Sequence, residues 1–361
     1  MTRWDAFTAV CNYLRAGLLK STPLLRVNDP SWTLLVEVSS DHYVTPALAW
    51  CLKDLTEIPS EIREYFDSVL ALNAQRNEAL LAGLARIVAA LNAIDIEPVP
   101  LKAAARLFEA DYPAPALRFL GDLDVLIPAK RSADAVAALQ SIGFSANADD
   151  YDCPPSHHHL RMLHDLETGT GVELHTAVVR DECAGIISTD WFCEGTSPLP
   201  FRNLKIRLPD ATRSVGHIVV HDQLHHDGYR LGWVELRQAL DLAMIRAGRE
   251  SAIDWAELDH RFSRMGRGAV LATYLEFGKI FLGQAAPRFR SAPRPGAIKD
   301  FRRAVASPRA RGWRHLATLL TEYAAKRRRD PGGMLRLLDL KKWPERISLV
   351  MKAFERGRPK W

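Results

Sequence analysis

Cysteine is sparse in this chain: five residues in 361, at positions 11, 51, 153, 183 and 193, with no CxxC spacing among them. That excludes a disulfide framework, a thiol-exchange motif and a cysteine zinc ribbon, and it fits a reducing compartment, so the expected location is cytoplasmic. Long hydrophobic runs are missing too. No stretch reaches the roughly 18 apolar residues a spanning helix needs, and even AGLARIVAALNAI carries Arg86. Asp5, Asn12 and Arg15 interrupt the first twenty residues, which therefore read as neither a signal peptide nor a membrane anchor. Membrane insertion is not expected. Nor is there a Walker A loop, a Rossmann glycine fingerprint or a nucleophile elbow, which leaves those enzyme classes unsupported.

What is present is ordinary globular composition, 47% hydrophobic and 25% charged, far from the signature of disorder. A chain of 361 residues exceeds what one core usually organises. Three regions are expected: an N-terminal helical region over 1–95, an α/β core over 96–210, and a C-terminal helical region with a basic tail over 211–361. From Phe301 onward there are 17 Lys and Arg against 5 Asp and Glu, while the first 300 residues carry a net charge of −7. Such a tail has two readings. It is a surface for an anionic partner, whether RNA, membrane or acidic protein, or it is a solvated helical face.

Hydrophobic periodicity places the elements. Leu80, Leu84, Ile87, Val88 and Leu91 form one stripe and predict a helix over about 67–93. The pattern then predicts a strand over 96–102, a helix over 103–111, a strand over 121–127 and a helix over 132–141 closed by Gly143. A hairpin follows, from HHLRMLHDLE and GVELHTAVV, with Thr168 to Gly171 as its turn. The expected fold class is α+β, a small mixed sheet flanked by helices. After Pro209 a helical period returns, with breaks at Gly228 to Gly232, around Ala285 to Pro295, and at Asp330 to Gly333.

The chemically informative stretch is RFLGDLDVLIP. In a strand, residues i and i+2 share a face, so Asp122 and Asp124 face one way while Leu123, Val125 and Ile127 face a core. In GVELHT, Glu173 and His175 alternate with Val172 and Leu174 in the same manner. If these two strands are neighbours, Asp122, Asp124 and Glu173 make one acidic surface. Three such carboxylates suit a pair of hard divalent cations in phosphoryl or nucleotidyl transfer. Two Mg²⁺ ions are the natural choice and Mn²⁺ the substitute. His175, two residues beyond Glu173, is placed to orient those ligands.

At this point the chain resembles a family of bacterial, uncharacterised nucleotidyltransferases within the DNA-polymerase-β-type superfamily. The residues that carry the likeness are VPLKAAARLFEADYPAPALRFLGDLDVLI, the GF of QSIGF and GVELHT. The likeness extends to VGHIVVHDQLHHDG, WVELRQALDLAMI and IDWAEL. The resemblance implies a polymerase-β-like core and transfer of a nucleoside monophosphate, AMP from ATP by default, to an unidentified hydroxyl or phosphate acceptor with release of pyrophosphate. It implies that Asp122 and Asp124 ligate both metals and that Glu173 completes one site and orients or deprotonates the acceptor. It also implies that Lys102 and Arg118 hold the triphosphate, and it matches Asp241 to a pocket or inter-helix contact. Arg106, one helical turn after Lys102, is a third basic candidate. The acceptor stays open among a small molecule, a peptide or protein, and RNA.

One departure bears on activity. Ala103 and Ala104 stand where the family has glycine after the lysine and the wider superfamily has Gly-Ser, residues that let a phosphate approach a helix N-terminus. The alternative reading is a catalytically inactive protein of this fold that binds a nucleotide, RNA or a protein partner. His217, His221 and His225 recur every four residues and would span about 12 Å on a straight helix, too far for one ion to touch all three. They have three readings, as pocket lining, helix packing or a pairwise zinc site. The run His157, His158, His159 reads as an exposed junction or as a phosphate or metal contact.

Overall fold

The computed structural model describes residues 1–22, 31–109, 111–147 and 157–307. Most of the basic tail, the break at 330–333 and Cys153 lie outside the described residues. The N-terminal helices are α1 (Arg3–Gly17), α2 (Trp32–Asp41), α3 (Thr45–Leu52) and α4 (Ser60–Asn92). A mixed five-stranded sheet follows, built from β1 (Val99–Pro100), β2 (Leu123–Leu126), β3 (Phe144–Ser145), β4 (Leu163–Asp165) and β5 (Gly171–His175) in the order β1-β2-β5-β4-β3. The β2–β5 pair is parallel and the other neighbours are antiparallel. Helix α5 (Lys102–Arg106) leaves β1, and α6 (Ser132–Ser141) joins β2 to β3. The α+β class holds, and so does the alternation of strands and helices in the core.

The stripe on α4 explains the sheet's position. Leu80, Leu84, Ile87, Val88 and Leu91 are all buried, in one cluster with Leu123, Val125, Ile127, Val172 and Leu174 from the back of the sheet. The polar side of the same helix grips the chain leading into β2. Asn77 Nδ2 donates to the carbonyls of Pro115 (2.7 Å) and Arg118 (2.9 Å), and Arg76 donates to those of Leu120 (2.7 Å) and Gly121 (2.9 Å). A 33-residue helix thus fixes both the buried face of β2 and its approach. It begins seven residues before the stripe at 80–91 suggested, and its first turns carry apolar positions of their own, Ile62, Phe66 and Leu70, which pack on the other core.

Several boundaries contract. Pairing in β1 is confined to Val99 and Pro100, and β2 starts at Leu123, one residue after Asp122. The hairpin β6 (Thr196–Phe201) and β7 (Leu204–Pro209) has no counterpart in the sequence expectation. Pro198 and Pro200 mask it, since proline is found only on edge strands. Its turn, Arg202 and Asn203, has both φ angles positive, at 48° and 67°, as a tight two-residue hairpin demands.

Helix α7 (Thr189–Glu194) precedes the hairpin, and beyond it come α8 (Ala211–Val220), a π-helical turn (His221–His225), α9 (Gly228–Leu231), α10 (Leu236–Arg249), α11 (Trp255–Arg264), α12 (Gly268–Leu282) and α13 (Ala297–Ala306). These share a second core with α1 to α3, where Phe7 meets Phe281 and Phe301 at ring separations of 5.4 and 5.0 Å. The breaks at 228–232 and 285–295 appear as Asp227 and Gly232 in the left-handed region and as an irregular connector. No described helix is long and apolar enough to cross a membrane.

Candidate active site

A cleft of about 330 Å³ opens between the sheet and the helices α8 and α10. On the sheet side, the parallel register sets Asp124 directly opposite Glu173 and Leu126 opposite His175. Side chains in register on adjacent strands share a face, and so Asp124, Glu173 and His175 converge, with ligand atoms all within 4.8 Å of one another. Asp122 lies on the bend before β2 and lines the same cleft. It stands beside this compact group rather than within it.

Lys102 joins from the start of α5, where its Nζ donates to Asp124 Oδ1 at 2.7 Å. His175 Nε2–H donates to the same oxygen at 2.8 Å and lies 3.7 Å from Glu173 Oε2. Both hydrogen bonds fall on Oδ1, and among the described residues none falls on Oδ2. That leaves Asp124 with a lone-pair-rich oxygen for a cation. Lys102 reaches this place with a φ of 49°, a left-handed conformation that costs a non-glycine residue about 1–3 kcal/mol and is typical of functional sites.

The electrostatics follow from crowding three acids on one buried surface. Burial, with the Asp124 charge beside it, pushes the Asp122 carboxyl up to about 6. Burial also opposes ionisation of Asp124, but the Lys102 ammonium and the His175 hydrogen bond outweigh it and hold that carboxyl far below the usual range. Glu173 behaves likewise, burial being outweighed by the His175 ring 3.7 Å away, so that its carboxyl is lowered. Lys102 and His175 answer in kind. Burial disfavours their charge, and the surrounding carboxylates more than restore it, raising both.

Two of the expected phosphate-holding arginines are already committed. Arg118 is buried against Asp241 of α10 through Nε (2.7 Å) and Nη2 (2.6 Å), and Tyr112 donates to the same carboxylate at 2.8 Å. Arg106 pairs with Glu109 and with Asp111 (2.7 Å) and donates to Ser214 Oγ of α8 at 3.1 Å. Both line the cleft, but each carries its own counter-charge. Asp241 ties α10 to the segment leading into β2 and lines the cleft. Ala103 lines the cleft, and Ala104 is sealed in the core behind the sheet.

The helix side supplies residues that sequence reasoning gave less weight. His217, His221, His225 and His226 all line the cleft. The chain carrying them is not a straight α-helix, because it passes into the π-helical turn at His221; such turns concentrate at functional sites. His221 Nδ1–H faces Gln238 Oε1 at 3.0 Å, and His225 Nε2 accepts the Arg180 N–H at 3.2 Å. Burial pushes His225 down to about 3 and His217 and His221 well below their ordinary value. His158, His159, Arg180 and Arg237 also line the cleft. A signal existed for the first two, as they immediately precede a strand that pairs with GVELH.

A family model described as an uncharacterised nucleotidyltransferase matches residues 28–283. No curated protein and no solved structure gives a significant match.

Proposed function

Because the chain belongs to that uncharacterised nucleotidyltransferase family, we propose that it moves a nucleoside monophosphate, AMP from ATP by preference, onto a hydroxyl or phosphate acceptor in a Mg²⁺-dependent reaction. The observation that carries this reading is the register of Asp124 with Glu173 on parallel strands, with Lys102 salt-bridged to Asp124 at the mouth of the cleft. The donor set suits hard cations, since Asp122, Asp124 and Glu173 offer only oxygens and, among the described residues, no hydrogen bond falls on Asp124 Oδ2. These three residues would hold the ions, with His175 orienting Asp124 from behind. Bound Mg²⁺ supplies charge neutralisation at the oxygens of the transferred phosphoryl group.

The chain's own groups account for the rest. The acceptor oxygen attacks the α-phosphorus, the bond to the bridging oxygen of pyrophosphate breaks, and the acceptor proton passes to Glu173. Lys102, charged and close to Asp124, faces the triphosphate as a fixed cation. Among the described arginines lining the cleft, the one left for the outer phosphates is Arg180, since Arg118 and Arg106 spend their charges on Asp241, Glu109 and Asp111, and Arg237 pairs with Glu235 at 2.5 Å.

The binding-only reading has one observation in its favour, the methyl group of Ala103 on the cleft wall, where glycine would admit phosphate more closely. Incubating the full chain with each labelled nucleoside triphosphate and Mg²⁺, beside Asp124→Ala, separates the two. Pyrophosphate release that disappears in the variant is the expected result. Tight nucleotide binding by calorimetry, with no release for any acceptor tried, would favour the binding protein.

A further inference from the structure

The run His157, His158, His159 lies outside the carboxylate group, yet it offers three ring nitrogens within 4.8 Å of one another. Its backbone is pinned. Leu160 N donates to Leu174 O at 2.8 Å, Thr176 N and Ala177 N donate to His158 O at 2.9 and 3.1 Å, and His159 bridges to His175. The run is therefore paired alongside the C-terminal end of β5 and is not a free loop.

The hydrogen-bonding state of two rings matches what a metal ligand needs. His159 Nδ1–H donates to the Leu160 carbonyl at 2.8 Å, which fixes the tautomer and leaves Nε2 with its lone pair, the arrangement in which ligating histidines are held. His158 is buried, between His175 and His225 at ring separations of 5.3 and 5.1 Å, and its Nδ1 has no hydrogen-bond partner. A buried polar nitrogen left so costs about 1–3 kcal/mol, a penalty that coordination removes.

We propose that His157, His158 and His159 form a second metal site, specific for a borderline transition ion such as Zn²⁺ or Co²⁺ and separate from the Mg²⁺ carboxylates. Imidazole ligands select these ions, whereas Mg²⁺ takes oxygens. Three histidines leave a fourth position for water or a ligand, as in open zinc sites. His158 and His159 line the cleft, and His159 Nε2 lies 3.8 Å from Glu173 Oε2, so a ligand in the cleft can reach the ion.

The test uses the full chain, stripped with a chelator and titrated with Co²⁺ in excess Mg²⁺ while its visible absorption is followed. Wild type and Asp124→Asn are expected to take up a single equivalent that Mg²⁺ does not displace. The double variant His157→Ala, His159→Ala should bind on the order of tenfold more weakly or less tightly still. No uptake, uptake that Mg²⁺ reverses, or uptake lost with Asp124 and kept without the histidines would each overturn the proposal. X-ray absorption of the Zn²⁺-loaded wild-type protein decides the matter even if the double variant does not fold. Scattering from three imidazoles supports the site, and an oxygen-only shell refutes it. Neither readout depends on nucleotidyl transfer.

Discussion

On the sheet side of the cleft, charges are present and balanced: Asp124 meets Lys102 at 2.7 Å and His175 at 2.8 Å, and Glu173 lies 3.7 Å from His175. On the helix side, His217, His221 and His225 face one another at ring separations of 6.2 and 6.0 Å. Among the described residues no carboxylate stands within ion-pair distance of these three, and burial keeps all three neutral. The two sides also differ in how they are held. The acids ride on paired strands over an α4 stripe, whereas the histidines ride on a helix that changes its winding at His221. Under the proposed function, the charged side would take cations and phosphate, and the neutral side would meet the uncharged part of a ligand with imidazole donors and acceptors.

If that division is right, changes on the sheet side should damage chemistry far more than folding. Asp124→Asn is expected to lower pyrophosphate release by roughly 10²–10³-fold or more while the protein still folds, Glu173 and Asp122 remaining as counter-charges for Lys102; full activity would dissolve the contrast. Next comes the tie between the two sides. Asp241→Ala leaves Arg118 buried without its partner and should cost about 3–5 kcal/mol in urea unfolding, and a loss under 1 kcal/mol would mean the pair bridges nothing.

Asn77→Ala tests how the acids are positioned, because it removes one donor from each of two carbonyls ahead of β2. A loss of about 1–3 kcal/mol is expected, together with a fall in transfer rate that an equally destabilising change in the other core does not produce. A pH experiment sharpens the helix side. Asp222, in the π-helical turn, is raised well above 3.8 by burial and then by the nearby Glu235 charge, against hydrogen bonds from Gln223, the Glu235 N–H and Tyr274. A raised folded-state pKa means that the folded protein holds the proton more tightly. Stability from this group is therefore complete below about 3.8 and is lost as pH rises through the folded value. Asp222→Asn should flatten that decline in urea midpoints measured across the range, and an unchanged slope would place the titration elsewhere. The smallest effect is expected from Ala103→Gly, about 0.5–1 kcal/mol of stability lost with tighter nucleotide binding by calorimetry.

Much of this was readable from local pattern. The alternation in LDVLI and VELH was enough to predict two amphipathic strands with acids on one face, because side-chain direction in a strand depends only on period two. The α4 stripe was equally plain. Other features resisted reading for stated reasons. Prolines at 198 and 200 hid a hairpin. The π-helical turn redirected histidines whose spacing alone implied a straight row.

The chain's local code therefore establishes its element types, its acidic strand face and its family likeness. Packing across long separations settles the rest. It sets Asp124 against Glu173 in parallel register, 49 residues apart, brings Asp241 to Arg118 across 123 residues, and so decides which cations are free to meet phosphate. A pattern along the sequence reports which way a side chain points. It holds no information on which opposite charge will arrive there, since that depends on how distant elements pack and on the burial that makes each pairing obligatory.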